Sequence, residues 1–163
     1  MEQQLRQPIL AGSFMSEKYM SAGNNWTIDS LFNALKALDE VASQEISLSL
    51  IQSSEPSIKL EMNEFGGLPI HIALAGQQII VDTVLVDIDS ISNVQAFNDA
   101  VLRSREMFPL SSIGIESMPN GQTVYNMFGA LSADSSLTNV VTEVKTLVDN
   151  VQRASEAFEH FFK

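Results

Sequence analysis

The sequence predicts an α+β fold in which three helices pack on one antiparallel sheet of five or six strands. Two hydrophobic periods carry that prediction. In three segments apolar residues recur at spacings of three and four, as on one face of a helix; between them they alternate every second residue, as in half-buried strands. The strand runs are interrupted by few helices, which points to an antiparallel sheet rather than a βαβ order. The expected order is α-β-β-β-β-α-β-β-α.

The first helix is expected over residues 28–42. Thr27 is its N-cap, and Ile28, Leu31, Phe32, Leu35 and Leu38 form its apolar face. Trp26 can fold back onto that face. The period then becomes two: Ile46, Leu48 and Leu50, then Ile58, Leu60 and Met62 beyond the turn residues around Pro56. Ile70, Ile72 and Leu74 form a third strand. The fourth, Gln78 to about Val86, is more continuously apolar and so belongs in the middle of the sheet.

A second helix is expected over 93–107, with Ser92 and Gln95 as a capping box. A hairpin follows, turning at Met118-Pro119-Asn120-Gly121. Gly114 and Gly129 in its arms suggest a bulge or a close backbone approach. The last helix, over 137–162, is capped by Ser135 or Ser136 and carries Val140, Val141, Val144, Leu147, Val148 and Val151 on its apolar stripe. Glu143, Lys145, Asp149, Arg153, Glu156 and Glu159 fall on its polar face. Leu35, Leu60, Ile72, Val81, Phe97, Ile113, Val144 and Val151 are the expected core. Residues 1–25 lack a clear period and read as a flexible leader, leaving 26–163 as a single domain.

The charge balance narrows the function. Nine Lys and Arg face twenty Asp and Glu, a net charge of −11, so the cationic stripe that nucleic acid requires is missing. Anionic membrane surfaces are disfavoured for the same reason. No apolar run approaches the roughly 20 residues of a membrane span. With no cysteine, the chain has neither disulfide staples nor thiolate ligands.

Catalytic signatures are equally sparse. The two histidines, His71 and His160, lie on a strand's outward phase and near the C-terminal end, with no nucleophile elbow in the sequence. Asp87-Ile88-Asp89 resembles the start of a calcium loop, but Ser92 and Asn98 occupy the positions where glycine and glutamate are needed. Asp82, Asp87, Asp89 and Asp99 could cluster around a metal, which makes a metal-dependent enzyme the alternative function. No cofactor is called for, and no catalytic or metal residue is assigned.

Two resemblances add to this. The stretch Glu106-Met107-Phe108-Pro109-Leu110-Ser111-Ser112-Ile113-Gly114-Ile115, with Phe128-Gly129-Ala130-Leu131-Ser132, resembles the YjfI-like family of uncharacterised bacterial proteins. The resemblance covers residues 26–163. It implies a bacterial cytoplasmic setting, a link to envelope stress, and a coiled-coil partner like phage-shock protein A, whose gene often neighbours those of the family. The element order is also similar to that of type III secretion chaperones.

A non-catalytic, chaperone-like interaction module is therefore the leading expectation. The last helix is long enough for its final turns to overhang the domain. Phe158, Phe161 and Phe162 would then form an exposed patch, rimmed by Glu156 and Glu159, for a homodimer or a coiled-coil protein.

Overall fold

The computed structural model describes residues 25–163. The expected leader, apart from Asn25, lies outside the described residues.

Helix α1 (Ile28–Lys36) starts where Thr27 accepts a hydrogen bond from the Ser30 amide, while the Ser30 hydroxyl accepts from the Thr27 amide. Trp26 is tied down as well: its indole N–H donates to the Ser135 carbonyl at 2.8 Å, joining the start of α1 to the start of the last helix. The single helix expected over 28–42 is broken. The Ala37 amide turns back to Ala34 and the Leu38 amide to Leu35, Leu38 is extended, and the short α2 (Asp39–Ala42) begins afresh. That break brings Leu38 and Val41 against the core together with α1.

Six strands follow the expected phases: β1 (Ile46–Ile51), β2 (Ser57–Met62), β3 (Leu68–Ala75), β4 (Gln78–Asp87), β5 (Ser112–Ser117) and β6 (Thr123–Ser132). Every pair is antiparallel, and the spatial order is β1-β2-β3-β4-β6-β5. β4 is indeed interior, and among the described residues β1 and β5 are the two edges. One face is the core: Leu60 opposes Ile70 and Ile72 opposes Val81, all fully or almost fully buried. The alternate residues form a half-open polar face, on which Lys59, His71, Asp82 and Phe128 share one register row. The register break lies at Val84–Val86, not at either glycine of the last hairpin.

Helix α3 (Val94–Arg103) is shorter than expected at both ends. Asn93, not Ser92, is its cap, accepting from the Ala96 amide at 3.0 Å. Helix α4 (Leu137–Phe158), capped by Ser136, lies over β4 and β6 and supplies Val140, Val144, Leu147, Val148, Val151, Ala154 and Phe158 to the core. Its last expected turn tightens to a 3₁₀ turn over Glu159–Phe161. The helix–sheet–helix–sheet–helix order expected from the chaperone analogy is the order found. Ile113 is half-buried, whereas the other seven expected core residues are buried.

Glu143 departs from its expected polar face. It is 2% exposed, and its Oε1 has no hydrogen-bond partner. Gly129 makes the room: a Cβ there would lie 1.6 Å from Glu143 Oε1. This is the close approach that the glycine suggested, made by a side chain rather than by backbone. Asn150, two helical turns on, is also buried, and its amide donates to the Pro109 carbonyl at 2.7 Å and to Ser111 Oγ at 2.9 Å.

Candidate interaction surface

The C-terminal phenylalanines do not overhang. Phe158 is buried, and its ring meets Phe97 at 5.2 Å and Phe108 at 6.0 Å. Phe161 packs edge-on against Phe97 at 5.4 Å. Phe162 is half-buried and forms a β-bridge with Ile91. The Phe161 carbonyl accepts from both the amide and the hydroxyl of Ser92, each at 2.8 Å, and the Lys163 amide donates to Ser90. Ser92 is thus spent on holding this segment, which is why Asn93 takes over the cap of α3. The tightened 3₁₀ turn folds the rings inward, so the expected apolar patch is part of the core. Glu156 and Glu159 remain exposed beside it.

The histidines and carboxylates are spread apart. His71 faces Asp82 across β3 and β4 with Nδ1 and Oδ1 3.9 Å apart. Burial pushes the Asp82 pKa up, the His71 contact opposing it. Asp87 caps the 3₁₀ turn Ile88–Ser90 by accepting from the Asp89 amide, which holds its carboxyl below the usual range. Asp99 pairs with Arg103 at 2.8 Å on α3. His160 is exposed and lies against the Phe161 ring. Among the described residues no three His, Asp or Glu side chains are grouped to hold a metal ion.

Exposed apolar side chains gather elsewhere, on α3, β5 and the loop between them. Leu102 is 82% exposed, Leu110 65%, Ile115 56% and Met107 47%. Their outward positions are imposed by what holds the neighbouring residues in. Phe97 is fully buried, with its ring 4.6 Å from Tyr125, whose hydroxyl donates to Asn98 Oδ1 at 2.6 Å. Leu102, five residues beyond Phe97, points about 140° around the helix from it. In the loop, Phe108 is buried, and Asn150 grips Pro109 and Ser111 on either side of Leu110. Leu110 adopts a left-handed φ of 64°, which non-glycine residues rarely do, and is turned out between the two clamps. A groove of about 350 Å³ runs along this edge, lined by Val101, Leu102, Ile113 and Ile115 with Asn98 and Tyr125.

Sequence reasoning passed over this cluster. By spacing alone Leu102 falls with Val94, Phe97 and Val101 on the apolar side of its helix, and Ile115 alternates with Ile113 as an ordinary strand residue. The available signal was that Val101 and Leu102 are adjacent, so a narrow apolar stripe could bury only one of them fully.

These features define a class: an α+β domain with a six-stranded antiparallel sheet, helices on one face and an apolar cluster along one sheet edge. The chain belongs to the bacterial family described as "Uncharacterized protein conserved in bacteria (DUF2170)", which it matches over residues 25–162. It is 38% identical to protein YjfI of Escherichia coli K12 over 125 residues, 77% of this chain and 91% of the relative, and equally similar to YjfI of Escherichia coli O157:H7. Among solved structures it is similar to YbjN from E. coli, with a TM-score of 0.60 at 12% identity, covering 83% of this chain and 95% of YbjN. A protein from Methanothermobacter thermautotrophicus matches with a TM-score of 0.56 at 12% identity, covering 82% of this chain and 99% of its own. At that identity the likeness is one of fold.

Proposed function

We propose that this protein is a non-catalytic interaction module of the bacterial cytoplasm that docks another protein on its α3–β5 edge. The observation that carries this is the group of outward apolar residues, Leu102, Leu110 and Ile115, held in place by buried neighbours. Leu102 and Ile115 line one groove, and clustered exposed apolar surface on a small domain is the usual mark of a protein interface. No described helix is long and apolar enough to cross a membrane, and the family is bacterial, which fits the cytoplasmic setting. The partners that the family resemblance and the sequence suggested are a phage-shock-protein-A-like coiled-coil protein, linking the module to envelope stress, and a second copy of the chain.

Affinity capture from a bacterial lysate with the intact chain and with Leu102→Asp tests the proposal. The intact chain should retain a partner at both low and high salt, because the contact is apolar. Leu102→Asp should lose it while melting at an unchanged temperature, since Leu102 takes almost no part in the core. If the variant keeps the same partners, the α3–β5 edge is not the docking surface.

A further inference from the structure

The interaction surface points to its own occupant, granted the docking function just proposed. Among the described residues β5 has one strand neighbour, β6, so alternate main-chain N–H and C=O groups along it face outward at the edge of the sheet. Edges left open in this way are commonly blunted by proline, by a charge or by a bulge. β5 has no proline and pairs with β6 without a break from Ser112 to Ser117. Its one charged residue, Glu116, is turned back to its own sheet by accepting from Asn126 Nδ2 at 3.0 Å.

We propose that β5 pairs antiparallel with β5 of a second copy of this chain, about a two-fold axis through Gly114, so that the two sheets run on as one. The side-chain faces fix the register. A two-fold perpendicular to the sheet sets residues of the same face opposite each other. Ile113 and Ile115 stand opposite Met127 and Tyr125 of β6, both buried, so they belong to the helix face. Ser112, Gly114 and Glu116 belong to the other face, where Gly114 lies under Asn126 and Phe128.

With the axis at Gly114, Ile113 meets the partner's Ile115, and Ser112 meets the partner's Glu116. No carboxylate faces a carboxylate, and the residue on the axis has no side chain to clash. Moving the axis one residue either way sets an isoleucine against a serine. The pairing also brings Leu102, beside Ile115 in the same groove, to the junction. Each chain carries a net charge of −11, so the two copies repel and association should tighten as salt screens that repulsion.

Sedimentation equilibrium of the full chain from low to high micromolar concentration, at two salt concentrations, reads the association directly. A monomer–dimer equilibrium strengthened by salt is expected, and Leu102→Asp should weaken it about tenfold or more. The chain contains no cysteine, so Ser112→Cys/Glu116→Cys introduces its only thiols. In this register each thiol faces one of the other copy across a strand pair, with Cα atoms about 4.5–5.5 Å apart, inside the range that a disulfide spans. Mild oxidation should give a covalent dimer that retains the parent's melting temperature. Ser49→Cys, on the opposite edge strand, should form no covalent dimer under the same treatment. A chain that is monomeric throughout and does not cross-link, or that cross-links through Ser49→Cys instead, overturns the self-pairing. If Leu102→Asp still abolishes capture of a different protein in that case, the docking function stands and only its occupant is wrong. If capture also persists, both fail.

Discussion

Glu143 sits over the Gly129 backbone with an unpartnered carboxylate oxygen, and burial pushes its pKa up. An acid with a higher pKa in the folded state than in the unfolded state holds its proton more tightly when folded. The stability this contributes is complete below the ordinary glutamate value of about 4.3. It is lost as the pH rises from there through the raised folded value. Glu143→Gln, which keeps the shape without the charge, should therefore melt higher than the parent at neutral pH. The gain should shrink to nothing as the pH falls to about 4. Thermal melts of both proteins across that range decide it, and an advantage that persists into acid would contradict the mechanism. Leu147 is fully buried on the same helix. Leu147→Ala should cost about 2–5 kcal/mol in a denaturant titration through lost burial and a residual cavity. The two residues also show how far periodicity reaches. Leu147 was legible because its stripe faces the sheet. Glu143 was not, because its place depends on a glycine fourteen positions earlier on another element.

At the scale of elements, the hydrophobic phases held while several ends moved. The core residues of β2 and β3 alternate as the sequence alternates, because each strand buries one face against the helices. The helix ends shifted for tertiary reasons. Ser92 has the chemistry of an N-cap, but its amide and hydroxyl are taken by the Phe161 carbonyl sixty-nine residues away. The same tether draws the aromatic tail into the core, where a helix projected from its own period would have carried it past the domain. A chain truncated after Ser155 loses Phe158 and Phe161, two of the three rings stacked on Phe97. Its melting temperature should fall sharply and its unfolding should lose cooperativity. A truncated chain that melts like the parent would show that the tail is not structural after all.

For the molecule as a whole, composition was a better guide to what is missing than to where binding occurs. The acidic balance argued against nucleic acid, yet the candidate surface is apolar and lies where two edges, one of a helix and one of a sheet, happen to meet. Such a place is set by strand order, and no window of the sequence reports strand order. The acidity has its own global consequence. Twenty carboxylates against nine cations repel one another across the folded surface, and the three Lys and Arg ion pairs among the described residues relieve little of that. Moving from very low ionic strength to about 0.15 M should raise the melting temperature, most of the change coming once the Debye length falls to about 8 Å. A melting temperature indifferent to salt would mean that the charges are too dispersed to matter.

The position of α4 in the chain bears on how the protein is made. The six strands are translated before it, and α4 is the helix that packs most extensively on their apolar face over β4 and β6. Synthesis adds about 5–20 residues per second, so a nascent chain spends seconds with that face open to solvent. During that interval the unfinished sheet is a substrate for holding chaperones, and it is most exposed to clumping with its neighbours on the same messenger. The cover over that face waits for the helix, whose arrival brings Phe158 and Phe161 against Phe97.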